Sequence, residues 1–235
     1  MTFNNLTDII DFHSHILPCA DHGSDGIKTS KEQVALMNNA GVDTVVLTPH
    51  FYPNRHNVGT FVANVSTAAE ELAAECPDRP DLYMGAEVLY CEGIEEMEDL
   101  ELLCIKGTNT LLLELPMSDE WNRGMIYEIK RMCEKYNVVL AHIDRYADIH
   151  GEELTALVSA GAMTQINVSA LYSRSAMKAI EPFLASGNIH AIGSDLHGKD
   201  KKVYRRFAQA QKKLGGEYFE IMARASKLLL GAEKL

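Results

Sequence analysis

The sequence predicts a single α/β domain over residues 1–235, a (β/α)7 barrel of the TIM-like kind. Three observations predict it. Short apolar runs alternate with helical patterns from end to end, and the connections between them are short, as in a parallel sheet. A residue able to bind metal lies just past nearly every strand: His13 and His15, His50, Glu87, Glu114, His142, and Asp195 with His197. An open doubly wound sheet would hold those at opposite edges too far apart to share a site, whereas a barrel brings every strand end to one mouth. The length is ordinary for one α/β barrel, and no linker, internal repeat or low-complexity segment interrupts the pattern.

The first strand is Ile9–His13. A loop with Pro18, Gly23 and Gly26 leads to a capping box at Thr29 and Glu32, a helix striped by Val34, Met37 and Ala40, and a terminator at Gly41. Thr44–Leu47 is the second strand, closed by Pro49-His50. Val62, Val65, Ala69, Leu72, Ala73 and Cys76 keep a 3.6-residue period. Leu82–Val88 is the third strand, and the acidic stretch Glu92–Glu101 reads as a short exposed helix. Thr110–Leu115 is the fourth, followed by a helix using Trp121, Met125, Ile129 and Met132. Val138–His142 is the fifth, with Leu154, Leu157 and Val158 behind it. Thr164–Val168 is the sixth, and the helix near Ala176–Leu184 should kink or split at Pro182. Ile189–Gly193 is the seventh. Two helical patterns finish the chain, one around Phe207 and Leu214, one using Phe219, Met222, Ser226, Leu229 and Leu230.

Composition excludes several classes. The 22 basic and 33 acidic residues give a formal charge of -11, which argues against a nucleic-acid binder. A phosphorylated substrate remains compatible, because bound cations reverse a local field. The five cysteines are scattered without zinc or redox spacing and read as reduced thiols of a cytoplasmic protein. None has an arginine six residues downstream, which excludes a phosphate-cradling cysteine loop. Met1–Phe12 shows no leader pattern, and no apolar run approaches the roughly 20 residues of a transmembrane segment.

In Asp11-Phe12-His13-Ser14-His15 a period of two puts His13 and His15 on one face, with Asp11 below them. Alone, this reads as well as two histidines packed at a strand end. The other strand-end residues change the balance. Two carboxylates at about 4 Å repel by about 4 kcal/mol at an effective dielectric of 20, so Glu87, Glu114 and Asp195 gathered together call for a cation or a proton. Imidazole with carboxylate and no thiolate suits zinc, manganese or iron.

His13-Ser14-His15-Ile16-Leu17-Pro18, Asp21-His22-Gly23, Thr48-Pro49-His50, Gly85-Ala86-Glu87, Ala141-His142-Ile143-Asp144-Arg145-Tyr146 and Gly193-Ser194-Asp195-Leu196-His197 resemble the polymerase-and-histidinol-phosphatase (PHP) superfamily. Within it the chain is similar to manganese-dependent protein-tyrosine phosphatases of the CpsB/CapC type, encoded with bacterial capsule and exopolysaccharide genes. The similarity runs from Asp11 to the last helix. It implies a distorted (β/α)7 barrel, the PHP fold, holding three divalent metals: manganese, with iron or zinc as alternatives. By position, His13, His15, Glu87 and Asp195 would surround the first. Glu87 would bridge to the second, completed by Glu114 and His142, and His22, His50 and His197 would hold the third. At His22 many relatives carry Asp.

The implied reaction is hydrolysis of phosphotyrosine on a protein, in opposition to a bacterial tyrosine kinase. Cations can lower the pKa of water from 15.7 to about 7, giving hydroxide for in-line attack. Arg145 would be catalytic, holding two phosphate oxygens in its planar fork. Where relatives carry a second arginine this chain has Lys202, within Lys199–Arg206. Lys202, Arg205 or Arg206 could make that contact, and a solvated helix start explains them equally well. The rival readings are a histidinol-phosphate phosphatase and a non-catalytic metal-binding scaffold. His56, His150 and His190 read as surface or satisfied core histidines, although the loop Phe51–His56 lies within reach of substrate. Asp11 and Asp144 read either as outer partners of the ligands or as ordinary structural acids; Asn167 and Ser169 either line the mouth or serve a turn. Cys19 is expected to pack.

Overall fold

The computed structural model describes residues 8–76, 80–118, 121–198 and 200–231. Most of the segment read for a leader (residues 1–7) and Lys199 lie outside the described residues. The chain forms β1 (Ile10–Ser14), α1 (Ile27–Asn39), β2 (Thr44–Leu47), β3 (His50–Phe51), α2 (Val58–Glu75), β4 (Asp81–Met84), β5 (Glu87–Leu89), β6 (Thr110–Glu114) and α3 (Arg123–Met132). It continues through β7 (Asn137–Leu140), α4 (Gly151–Ser159), β8 (Met163–Asn167), α5 (Arg174–Ala185), β9 (Ala191–Gly193), α6 (Lys201–Leu214) and α7 (Gly216–Leu230).

All strand pairs are parallel, in the orders β1-β2-β4 and β3-β5-β6-β7-β8-β9. The nine strands among the described residues make seven staves, because two staves break midway. Pro49 has no N–H to give, so the second stave is interrupted between β2 and β3. The third, expected as one strand Leu82–Val88, breaks at Gly85-Ala86, where a Cβ on Gly85 would sit 3.2 Å from Ile105 Cγ1. The last stave returns to the first: Asp195 N–H donates to His13 O at 2.8 Å. Only glycine permits that approach, since a Cβ on Gly193 would lie 2.5 Å from His13 Cβ.

Ile10, Phe12, Val46, Leu112, Val139, Ala141 and Ala191 fill the barrel interior together with Leu229 and Leu230 of α7. Thr110 Oγ1 donates to Leu229 O at 2.8 Å and Ser226 Oγ to His190 O at 3.0 Å. The final helix thus closes the amino-terminal end of the barrel, leaving the opposite mouth to the polar residues. Fully burying one such leucine is worth about 1.5–3 kcal/mol.

Local structure departs from the sequence reading at four places. α1 starts at Ile27 behind Gly26, with no side-chain cap, so Thr29 lies inside the first turn rather than capping it. Ser30 holds that end instead, its hydroxyl 2.8 Å from Ser24 Oγ. The other end is as expected: Gly41, at φ 82°, donates to Asn38 O, and Val42 donates to Met37 O, the two bonds of a glycine terminator. The acidic stretch makes two 3-10 turns, Ile94–Glu96 and Leu100–Leu103, separated by Asp99 at φ 60°. α5 runs unbroken through Pro182. Cys19 is exposed at φ 53° rather than packed. All five cysteines are unpaired, and among the described residues no helix is long and apolar enough to cross a membrane.

Candidate metal centre

Three backbone devices aim the side chains. Asp11 is in register with Val45 and Ser14 with Leu47, an interval of three residues against two, so β1 carries a bulge. The extra residue lets Phe12 point into the core and His13 still turn to the mouth. Asp11 therefore lies on the outer face with Val45, not below His13 and His15 as strict alternation implied. Its Oδ1 accepts from Ser194 N–H at 2.7 Å and His13 N–H at 3.3 Å, and burial raises its carboxyl to about 7. It clamps β1 to the last stave rather than orienting an imidazole.

The second device follows β7. Ala141 packs in the barrel interior, so a straight strand would turn His142 outward. His142 instead takes φ 33°, and the 3-10 turn Ile143–Arg145 begins there. Asp195 is likewise at φ 49°. Left-handed backbone costs roughly 1–2 kcal/mol at each non-glycine residue, and such strain clusters at functional sites. The third device is the broken pair of staves, which sets His50 in register with Glu87.

Glu87 is the centre, fully buried and reached from four directions. Its Oε2 lies 3.1 Å from His13 Nε2, 3.2 Å from His15 Nε2 and 3.0 Å from His50 Nδ1, while Oε1 lies 2.9 Å from His142 Nε2. His13 Nε2 and His15 Nε2 are 3.0 Å apart. Asp195 Oδ1 lies 3.5 Å from His15 Nε2, and Glu114 lies 3.8 Å from His50 Nδ1 and 3.6 Å from His142 Nε2. Burial opposes charge on Glu87, but the charge of His13 prevails and holds its carboxyl well below the usual range. Glu114 goes the other way, raised by burial and then by Glu87.

The donor set fits divalent metal. Glu87 Oε2, His50 Nδ1 and His197 Nε2 are buried without an aligned hydrogen-bond partner. Buried polar atoms are normally satisfied, so lone pairs crowded at 3 Å without a partner make this a candidate cation-binding centre. Four triads have ligand atoms within 4.8 Å of one another: His13-Glu87-His142, His13-His15-Asp195, His50-Glu87-Glu114 and His15-His50-His197. Eight of the nine residues expected as ligands fall in them.

A family model for capsular polysaccharide synthesis, CpsB/CapC, matches residues 9–230. The chain belongs to the CpsB/CapC family. Among curated relatives it is 26% identical over 211 residues to the tyrosine-protein phosphatase CpsB of Streptococcus pneumoniae, covering 83% of this chain and 85% of the relative. It is 25% identical over 207 residues to CpsB of Streptococcus agalactiae serotype III, covering 82% and 84%. A solved structure described with YwqE from Bacillus subtilis and CpsB from Streptococcus pneumoniae, as metal-dependent tyrosine phosphatases, superposes with a TM-score of 0.78 at 25% identity, over 96% of this chain and 97% of that one. Histidinol phosphate phosphatase from Lactococcus lactis, at 15% identity and a TM-score of 0.56 over 88% and 94%, shares the fold. A distorted TIM-like barrel of the PHP kind is thus the family's fold as well as this chain's.

Within this CpsB/CapC chain His22 stands apart from the eight. It is exposed at the rim, its ring stacked 4.3 Å from His197 and 5.1 Å from His50, and it joins none of the four triads. Its neighbour Asp21 takes the inner position. Asp21 Oδ2 lies 2.6 Å from His15 Nδ1 and accepts from His50 N–H at 3.1 Å. Burial opposes charge on both partners, yet their bond holds Asp21 below the carboxylate range and, with Glu87, raises His15 to about 10. A carboxylate behind an imidazole fixes its tautomer and strengthens it as a ligand. Sequence reasoning missed this role, although Asp21 stood inside the quoted motif. Asp21→Asn is expected to lower metal affinity roughly 10- to 100-fold, read by metal titration of the purified variant.

Gln165 was missed too. Its Oε1 accepts from His142 N–H at 2.7 Å and lies 3.2 Å from His13 Nδ1, tying the first and fifth staves beneath the cluster. Asn167 does line the mouth, donating to Asp195 Oδ2 at 2.9 Å, and Asp144 anchors the Arg145 turn by accepting from Asn167 N–H at 2.8 Å. Ser169 lies in the 3-10 turn Val168–Tyr172.

Arg145 stands on the open side, 37% exposed, donating to Asp195 Oδ2 with its second terminal nitrogen 3.3 Å from His142 Nε2. The other basic residues are placed differently. Val203, Tyr204, Phe207 and Ala210 form the buried stripe of α6, which leaves Lys202 and Arg205 exposed, Arg205 lining a groove with Leu36 and Asn39 of α1 and the adjoining Ala40. Arg206 lies over the Tyr172 ring, 5.3 Å from its centroid. His56, His150 and His190 are structural: His150 stacks 3.9 Å from Trp121, and His56 and His190 accept backbone N–H groups through Nδ1 at 3.1 Å.

Proposed function

We propose that the chain is a metal-dependent phosphatase that removes phosphate from tyrosine in proteins. Its substrate is a bacterial tyrosine kinase of capsule or exopolysaccharide assembly, met in the cytoplasm. The observation that carries this reading is the buried Glu87, surrounded by imidazoles from three other staves, with Arg145 on the open side. Family membership and the named activity of the CpsB relatives support it.

The residues suit three divalent ions, manganese first, with iron or zinc acceptable to the same donors. His13, His15 and Asp195 would hold one, Glu87 would bridge to another with Glu114 and His142, and His50 and His197 would share the third with His22 at the rim. When bound, the metals supply Lewis acidity and a nucleophile drawn from water at neutral pH. The chain's residues do the rest. Arg145 donates to two non-bridging phosphate oxygens, countering charge as it builds on them. The left-handed backbone at His142 and Asp195 fixes the ligands on either side of that guanidinium before substrate arrives, so little reorganisation is needed. Phenolate, with a conjugate-acid pKa near 10, leaves with less help from a general acid than an alkoxide.

A histidinol-phosphate-type phosphatase shares this barrel, and a non-catalytic metal-binding scaffold would share the centre. With manganese added, a phosphotyrosyl peptide is expected to be turned over in strong preference to histidinol phosphate. Preference for the alkyl ester would reverse the assignment, and inertness toward aryl phosphates with every plausible metal would favour the scaffold.

A further inference from the structure

The rim beside the metal centre is electrically divided. After β3 the chain makes a tight turn, with Arg55 N–H donating to Tyr52 O at 2.9 Å and His56 N–H to the same oxygen at 3.0 Å. His56 fixes the turn a second time, accepting Tyr52 N–H at 3.1 Å while its ring stacks on Phe61 of α2, 5.4 Å between centroids. The held turn builds a short stack outward from the centre. The Tyr52 ring lies 5.1 Å from His50, inclined by 22°, and the Arg55 guanidinium carbon lies 5.4 Å from the Tyr52 centroid. Beyond Arg55 opens a cleft of about 310 Å³, bounded by Cys19 and Ala20 on one side and by Thr60 and Asn64 of α2 on the other.

Among the described residues, Arg55 is the sole fully charged residue lining that cleft, and no carboxylate lines it. The contrast lies over the third and fourth staves, where a cleft of about 480 Å³ is lined by Glu92, Glu95, Glu96 and Glu128. In a chain of formal charge -11, a cleft whose single charge is positive, one ring beyond the candidate ligand His50, suits an anion better than a cation.

We propose that this cleft is a substrate subsite for an acidic side chain, Asp or Glu, flanking the phosphotyrosine. The inference rests on the phosphotyrosine reading and adds sequence preference to it. Arg55 pairs with the flanking carboxylate, and Tyr52 forms the aromatic wall between that carboxylate and the metals. The His50–Tyr52–Arg55 stack advances in two steps of about 5 Å, and an extended peptide advances about 3.3 Å per residue. The acidic residue therefore sits two or three positions from the phosphotyrosine. Arg55 touches neither the reacting phosphate nor its ligands, so it sets preference rather than chemistry.

The test uses matched phosphotyrosyl peptides with Glu or Lys two and three positions away, on either side, assayed for kcat/KM with the metal-loaded protein. The ratio between Glu and Lys peptides within each variant is the readout, so a general change in activity or folding cancels. Wild type is expected to favour Glu on one side roughly tenfold, as expected when a partly exposed charge pair changes from attraction to repulsion. Arg55→Lys keeps that preference, Arg55→Ala brings the ratio near one, and Arg55→Glu inverts it. Raising the salt concentration shrinks the wild-type ratio. Equal ratios in wild type and Arg55→Glu, or no preference in wild type, would overturn the subsite while leaving the phosphatase reading intact. Failure to turn over any phosphotyrosyl peptide, with histidinol phosphate hydrolysed, would overturn the phosphatase reading and the subsite with it.

Discussion

Glu87→Gln is expected to strip the centre of its metals and to lower turnover of an aryl phosphate roughly 10³-fold or more, since several kcal/mol of charge stabilisation go with them. Glu87 Oε2 is within 3.2 Å of three imidazoles from two other staves, and Oε1 within 2.9 Å of a fourth from another stave. An amide nitrogen has no lone pair to offer a cation and carries no negative charge, so the glutamine would lose one ligating end and the charge that balances the metals. Metal analysis beside steady-state kinetics reads both effects. A Glu87→Gln protein that keeps full metal and activity would remove Glu87 from the centre.

Arg145→Ala should behave differently, lowering turnover roughly 10²- to 10³-fold with metal content near normal, as loss of one oxyanion-type contact does. The difference comes from position. Asp195 is 7% exposed and is also held by Asn167, whereas Arg145 is 37% exposed, so removing the guanidinium leaves the ligands in place. Arg145→Lys should rescue little, because an ammonium cannot span two oxygens as a planar fork does. Loss of metal in Arg145→Ala would show that the residue holds the centre together rather than acting on phosphate.

The barrel was legible because its strands read as short apolar runs whose polar residues fall at the ends. The nine strands were not, because nothing in Leu82–Val88 announces that Gly85 must bend the stave away from Ile105. At the centre, residue type carried the metal reading for His13, His15, Glu87, Glu114, His142 and Asp195. Orientation was harder. The bulge in β1 reversed the face assigned to Asp11, a change that strict alternation cannot foresee, and α6 turned Arg205 toward α1 by the phase of one helix. Asp21 and Gln165 were hidden for another reason: partners of ligands are recognised by what they touch, and their own residue types carry no such signal.

The proposed phosphatase activity depends on cations held jointly by His13, His15, Glu87 and the other strand-end donors. Its most direct test is metal analysis of the purified protein, followed by chelation and metal readdition with an aryl phosphate as substrate. Bound divalent metal at two to three equivalents per chain, activity abolished by chelation and activity restored by manganese are the expected results. Full aryl-phosphatase activity persisting in demonstrably metal-free protein would contradict catalysis by metals held at this centre.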